Sequence, residues 1–374
     1  MEHSFSSIVC VADINITAAL DQCLADIAIP EFFVQRAKQI SLVEKRGLLG
    51  LHIRTSLEEN RALIYRMVVP SEYAEGTMRR IAEVTDLKMG GRGCIFAQQV
   101  NFSRGTPLVF DIDKLDRLCG KSDSFPVENH SLVSCIIPRG SGNSLAEAVL
   151  GLGVCVPAVF YGIGVGLRDR LGLMRITVPV EKEIIWFIVP HADAELVEKT
   201  LIPRARLDVP GQGFLYKFNV HAPVVNLRIR KRKRIHAATM EQVIAAMDEV
   251  QGSSDWRRLG ARKSSGGSAS STENTRGLFF IGEEDDIETF RRTAMENGAR
   301  GATLNAVELR HYNADSQVQD RESHSRELCD IITSPAIEKR LNEIMSQNGV
   351  FDSGKSCVLK SFNVETPSVI RRRS

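Results

Sequence analysis

The stretch GQGFLYKFNVHAP, Gly211 to Pro223, decides the fold, because a relative of it closes the chain. It reads as a glycine turn feeding a strand. Near the end, DSGKSCVLKSFNVETP, Asp352 to Pro367, brings the same turn and the same Phe-Asn-Val ahead of a proline. Self-similarity of this kind marks a repeated supersecondary unit. Working outward, IIWFIVPHADAELVEKTLIPRARLDVPGQGFLYKFNV (184–220) aligns without a gap on IYRMVVPSEYAEGTMRRIAEVTDLKMGGRGCIFAQQV (64–100). Pro70 stands as far before Gly93 as Pro190 stands before Gly213. The third copy, ELCDIITSPAIEKRLNEIMSQNGVFDSGKSCVLKSFNV (327–364), reads as shorter in its helix and ends on the same turn.

Each copy predicts strand, helix, glycine turn, strand. The first strands (LIYRMVV, IIWFIV, LCDIIT) are apolar and rich in β-branched or aromatic residues, and each ends at a Pro or Ser-Pro suited to a helix's first turn. Ile337, Leu341, Ile344 and Met345 fall at helical spacing. Upstream of each copy lies a weaker pattern: SSIVCVA then NITAALDQCLADI; SLVSCIIP, NSLAEAVLGLG and VPAVFYG; GLFFIG, EEDDIETFRRTAMENG and GATLNAVEL. The acidic run Glu283 to Asp286 suits the electropositive start of a helix. Together these predict an α+β fold of three tandem ferredoxin-like βαββαβ repeats. The expected boundaries are 1–108, 127–222 and 277–374. A short polar joint over 109–126 and a basic, helical and Ser/Gly-rich linker over 223–276 (with a helix at ATMEQVIAAMDEV) separate them. The segments 44–60, 165–182 and 311–325, between the second and third strands, differ most and read as loops.

The chain has 374 residues, 43% of them hydrophobic and 25% charged, enough to bury sizeable cores. A formal charge of +2 excludes polyanion binding by bulk charge and leaves only local clusters. Eight cysteines without a CxxC pair sit in apolar runs and read as reduced core residues of a cytoplasmic protein. The N-terminus lacks the basic end and apolar run of a signal peptide, and no stretch reaches the ~18 apolar residues of a membrane span.

Two sets of residues carry chemistry. The turns Gly90-Gly91-Arg92-Gly93, Gly211-Gln212-Gly213 and Asp352-Ser353-Gly354-Lys355 each join a helix to a last strand. Glycines there permit positive φ and leave N–H groups open to phosphate oxygens, or they serve only the connection. The basic ends follow: Arg228 and Arg230 within LRIRKRKRIH, and Arg371 and Arg373 within VIRRRS. Arg230 lies as far beyond Gly213 as Arg371 lies beyond Gly354. The run could equally be a solvated edge strand protected by its charge. Copy one has Phe110-Asp111-Ile112-Asp113 at that place and is expected to bind anions poorly. No HExxH, zinc spacing, GxSxG or P-loop is present, and GIGVG (162–166) precedes RDRLG rather than a helix.

At these residues the chain resembles the PII nitrogen-regulatory signal proteins. GARGATLNAVEL (298–309) is similar to the family's second-strand entry, with Gly301 and Thr303 in its Gly-x-Thr positions. Asp352 to Lys355 resembles its phosphate-contacting loop, and Arg228-Ile229-Arg230 and Arg371-Arg372-Arg373 resemble its Arg-x-Arg tail. The resemblance implies homotrimer-forming subunits with ATP or ADP, with or without Mg²⁺, in the clefts between them. Three fused copies then imply one chain folding as a pseudo-threefold trimer. It puts Thr303 near the adenine and Lys355 on phosphate, with the arginines of one repeat facing the glycine loop of the next. Gly91, Gly93, Gly211, Gly213, Gly354, Arg228, Arg230, Arg371 and Arg373 complete the expected nucleotide-binding set. Departures exist: Cys94 and Phe214 stand where a loop lysine would, and Pro157-Ala158-Val159 where Gly-x-Thr would.

The expectation is a non-enzymatic signal protein that binds adenine nucleotide and controls a partner, such as a transporter or metabolic enzyme, through its loops. The alternative is a non-catalytic scaffold with decayed sites. Nucleic-acid binding through 228–234 is disfavoured, because the strands lack exposed aromatic pairs for base stacking.

Overall fold

A computed structural model of the chain describes residues 4–46, 53–104, 107–166, 180–209, 211–226, 275–311, 323–352 and 357–366. The architecture is mixed α+β. A first segment runs β1 (Phe5–Asp13), α1 (Thr17–Asp26), β2 (Glu31–Arg46), β3 (Ile53–Pro70), α2 (Ala74–Val84) and β4 (Gly93–Arg104). After α3 (Ile112–Leu118), a second runs β5 (His130–Pro138), α4 (Gly142–Leu150), β6 (Ala158–Gly166), β7 (Val180–Pro190), α5 (His191–Arg204) and β8 (Phe214–Val224). The third runs β9 (Thr275–Gly282), α6 (Glu284–Glu296), β10 (Gly301–His311), β11 (Ser323–Thr333), α7 (Pro335–Gln347) and β12 (Val358–Val364).

Within each segment the first strand lies between the fourth and the third, and the second lies outside the third. The orders are β4-β1-β3-β2, β8-β5-β7-β6 and β12-β9-β11-β10, antiparallel throughout. The segments then join edge to edge into one twelve-stranded sheet. The register recurs: Gln39 pairs Ala158, Gly164 pairs Thr303, and Leu309 pairs Phe33. At the opposite edges β4 meets β8 at Ile95↔Val224 and β12 at Ser103↔Leu359, and Lys217 bridges Glu365. Each edge strand thereby finds a neighbour, which removes the template an open edge offers to foreign chains.

This arrangement explains why the strands are apolar on both faces. In β1 the alternate residues Ile8, Cys10 and Ala12 pack outward with Leu20, Leu24, Met78 and Ile81 of α1 and α2. Val9 and Val11 point inward to a core shared by all three segments, with Phe96, Trp186, Tyr216, Phe279 and Phe362. Trp186 meets Phe160 edge-on at 4.9 Å, and Phe362 meets Phe279 and Phe218 at 4.9 and 4.8 Å, the tilted geometries that aromatic quadrupoles favour. The second and third segments likewise cover their outer faces with helices. In α6, Glu284, Asp285 and Asp286 occupy the first turn, while Ile287, Phe290 and Ala294 face inward, with Phe290 stacked on Phe280 at 4.5 Å. Ser334 caps α7 by accepting from the Ile337 N–H. All eight cysteines are buried thiols.

Several expectations need correction. Within 44–60 the described residues 44–46 and 53–60 are strand: β2 and β3 stay paired from Phe33↔Arg66 out to Arg46↔Ile53. The joint 109–126 is not merely polar. Asp111 caps α3 by accepting from the Lys114 N–H at 3.1 Å, Leu115 and Cys119 are buried against α2, and Phe110, Leu118 and Phe125 pack beside them. Gly76 on α2 makes room for this joint, since a Cβ there would sit 2.1 Å from the Cys119 carbonyl oxygen. Helix α7 has 13 residues, one fewer than the 14 of α5 and two more than the 11 of α2. Strand β8 runs on to Val224 and β9 starts at Thr275, trimming the long linker at both ends. The helix expected at ATMEQVIAAMDEV lies outside the described residues. Among the described residues no helix is long and apolar enough to cross a membrane.

Candidate functional site

The glycine turns have two jobs. Gly93 and Gly213 adopt φ of +138° and +156°, and a Cβ would lie 1.8 Å from the Val11 carbonyl oxygen or 2.6 Å from that of Ile136. These two glycines let β4 and β8 start flush against β1 and β5, a structural demand independent of any ligand. Gly91 and Gly211 sit at φ of +90° and +85° in the outer part of each turn. The Gly91 N–H points into the seam with the second segment and donates to Asn226 Oδ1 at 3.0 Å.

Asn226 fills that seam. It is 4% exposed, its Nδ2 donates to Gln39 Oε1, and its carbonyl oxygen accepts from the Val156 N–H at 3.0 Å. The Ile40 N–H donates to the Pro157 carbonyl at 3.1 Å alongside. One carboxamide therefore ties the first turn, the base of the β2–β3 hairpin and the end of β8 together.

Sheet register identifies the equivalent residues in the other segments. Phe33 pairs Arg66, Ala158 pairs Trp186 and Thr303 pairs Asp330 at matching depths in their sheets. Thr303 thus corresponds to Ala158 and Phe33, and Gly301 to Val156 and Glu31. The expected equivalence of Gly-x-Thr with 157–159 is off by one residue. Thr303, 7% exposed, lies against Gly164 of the second segment, with Gly301 against Gly166. This accounts for GIGVG: it is β6, and a Cβ on Gly162 would come within 2.7 Å of the Leu304 carbonyl oxygen.

Val358, just after Lys355, pairs Arg104 of the first segment, whereas Thr303 pairs the second. Two residues on the opposite edges of a four-stranded sheet are roughly 14 Å apart. Thr303 and Val358 therefore stand at different seams. Beside the turn at Gly211–Gly213, Lys217 and Glu365 exchange backbone hydrogen bonds of 2.8 Å, and Lys217 Nζ reaches Glu198 at 2.9 Å and Glu365 at 3.6 Å. Burial works against the Lys217 charge, but hydrogen bonds to the two carboxylates overcome it and raise its pKa. Arg371 and Arg373 follow Glu365 in sequence, but they lie outside the described residues, as do Gly354, Lys355, Arg228 and Arg230. At the third seam a groove of about 670 Å³ opens between Phe5, Phe102 and Leu108 of the first segment and Asn342, Ser346 and Phe351 of the third.

With this geometry in place, two solved structures are similar to part of the chain. Both are GlnK of B. subtilis. The GlnK–ATP complex matches at 17% identity over 27% of this chain and 89% of that one, with a TM-score of 0.23. The second GlnK structure matches at 14% identity over 27% and 90%, with a TM-score of 0.22. No family model and no curated protein matches the chain.

Sequence reasoning missed a polar cluster inside the shared core. Arg66, Tyr216, Asp330 and Lys360 are all buried there, on inward positions of β3, β8, β11 and β12. The Arg66 guanidinium lies 5.0 Å from the Trp186 ring and 5.9 Å from that of Phe160. Burial lowers the Arg66 pKa to about 10 and raises the Asp330 carboxyl to about 7. Burial, with Arg66 nearby, lowers the Lys360 ammonium to about 7. The available signal was the charged residues interrupting apolar strands: Arg66 in LIYRMVV, Asp330 in LCDIIT and Lys360 in CVLKSF.

Proposed function

We propose that the chain is a PII-like regulatory protein. Its three ferredoxin-like modules, 1–108, 127–222 and 277–374, close around a pseudo-threefold axis, and ATP or ADP binds at the seam between the second and third. The observation that carries this reading is the Gly91 N–H to Asn226 Oδ1 bond, in which a glycine turn offers a backbone donor to an acceptor oxygen in the seam. A phosphate oxygen asks the same of such a turn.

The three seams differ in what stands at the matching positions. Between the second and third modules are the Gly211–Gly213 turn and the Gly301–Thr303 strand entry, and Arg371 and Arg373 follow Glu365 in sequence. Thr303 supplies a hydroxyl for an adenine edge, and the arginines supply charge for phosphates. Between the first and second modules Asn226 already holds the acceptor's place, and Val156 and Ala158 replace glycine and threonine. That seam acts as a joint, although Arg228 and Arg230 follow it. The third module's turn sequence includes Gly354 and Lys355, but the first module has Glu31 and Phe33 where the third has Gly301 and Thr303, and no Arg-x-Arg follows β4 in sequence. The carboxylate there opposes phosphate. Regulation needs no acid–base pair: nucleotide favours one arrangement of the connections after β2, β6 and β10, which dock on a partner such as a transporter or metabolic enzyme.

Isothermal titration with ATP and ADP tests the reading. One nucleotide per chain is expected, and Thr303→Val or Arg371→Ala should weaken it by about tenfold or more. No heat at millimolar nucleotide would overturn it. Asn226 favours a second reading, in which all three seams have become joints and the protein is a scaffold. In that case Lys355→Ala and Arg371→Ala leave partner capture unchanged.

A further inference from the structure

Register places three residue pairs at matching points around the shared core. Phe96, Tyr216 and Lys360 are equivalent in their last strands, because Val100, Val220 and Val364 align, and Arg66, Trp186 and Asp330 are equivalent in β3, β7 and β11. Each seam sets one residue of the first group against one of the second. Phe96 meets Trp186 edge-on at 6.1 Å, and Tyr216 donates to Asp330 at 2.7 Å. At the third seam Lys360 joins Arg66 in the wall of one cavity. Both cations are 2% exposed, and like charges in a low-dielectric interior repel. What distinguishes this seam is an acid: Glu31 lines the same cavity, at the position that Val156 and Gly301 hold in the second and third segments. Burial and Arg66 press against the Lys360 charge, and the Glu31 carboxylate supports it. Lys360 Nζ also donates to Ser7 Oγ of the first segment at 3.3 Å.

We propose that Glu31 is the shared counter-charge of Arg66 and Lys360, that one internal water bridges its carboxylate to the Arg66 guanidinium, and that this network latches the third segment onto the first. The cavity measures about 10 Å³, the room a single water needs. Arg66 Nε and Nη1 find no acceptor among the described residues, so the water has donors on one side and the Glu31 carboxylate to donate to on the other. The place of the latch in the chain gives it a purpose. The stretches 109–126 and 223–276 connect the first segment to the second and the second to the third, whereas the third meets the first through side chains and strand pairing alone. Lys360 is the third segment's charged contribution to that closure, and Ser7, Glu31 and Arg66 receive it on the first. Loss of Glu31 leaves two cations facing each other, and a buried charge without its partner costs more than a pair removed together. The latch works without reference to any nucleotide.

The test is a set of melting curves of the full chain at about pH 6, where Lys360, with its pKa of about 7, carries its proton. Glu31→Gln should lower Tm by about 4 °C or more. The same substitution in a Lys360→Met background, where only one cation is left to satisfy, should cost less than half as much. Equal losses in the two backgrounds would overturn the shared counter-charge. A crystal structure of the unmodified chain gives a check that needs no variant. One water within about 3.2 Å of both the Arg66 guanidinium and the Glu31 carboxylate supports the proposal, and a dry cavity refutes the bridge.

Discussion

Tyr216 donates its hydroxyl hydrogen to Asp330 Oδ2 across 2.7 Å, joining the second segment to the third inside the shared core. The bond crosses between chain regions far apart in sequence, and both residues are buried. Tyr216→Phe keeps the ring packing but strips the carboxyl of a donor. An unsatisfied buried polar group costs about 1–3 kcal/mol, so a loss of that size in urea unfolding is expected. An unchanged midpoint would mean that another donor takes over.

Asp330 and Lys360 give stability a dip near neutrality. With the Asp330 carboxyl raised from 3.8 to about 7, the native state holds a proton that the unfolded chain has released, so this contribution is lost as pH climbs between those values. With Lys360 lowered from 10.5 to about 7, the unfolded chain holds the extra proton, so stability grows again as pH rises through that window. Asp330→Asn should flatten the acid limb and Lys360→Met the alkaline limb of unfolding free energy, measured from about pH 5 to about pH 9. Limbs that survive both substitutions would assign the dip to other groups.

Asn226→Ala removes the acceptor of Gly91 and the partner of Gln39 together. A destabilisation of about 1–3 kcal/mol is expected. Nucleotide titration should be unaffected, because the proposed site lies at a different seam. Loss of nucleotide heat in this variant would move the site to the first seam.

Gly93→Ala should be among the most damaging single changes. The new Cβ meets the backbone oxygen of Val11 at 1.8 Å in a conformation of positive φ, and neither atom sits on a flexible side chain that could swing away. A cost of about 3 kcal/mol or more is expected, visible as a lowered Tm or as failure to accumulate soluble protein. Gly213→Ala should do the same to β8 for the same reason.

How much was legible follows from where each signal resides. The 64–100 and 184–220 match was readable because strands buried on both faces give unbroken apolar runs and because a flush turn demands glycine. Strand β3 was misread over 53–60 because IRTSLEEN pairs only with β2 and has no apolar face to advertise it. Helix α3 is short, and its buried residues Leu115 and Cys119 are too few to establish a period. Asn226 carries no local mark at all: its meaning comes from Gly91, Gln39 and Val156, each from a distant part of the chain. The placing of Thr303 and Val358 at different seams was hidden for the same reason, since it depends on which sheet edge each strand occupies.

The interior to which Val9, Trp186 and Phe362 all contribute belongs to no segment alone. Excising any third of the polypeptide would turn its inward valines and aromatic rings out to water, so fragments of the molecule should be insoluble or should seek one another. Heat should accordingly dismantle the molecule in a single cooperative event, with the calorimetric and van't Hoff enthalpies agreeing despite its length.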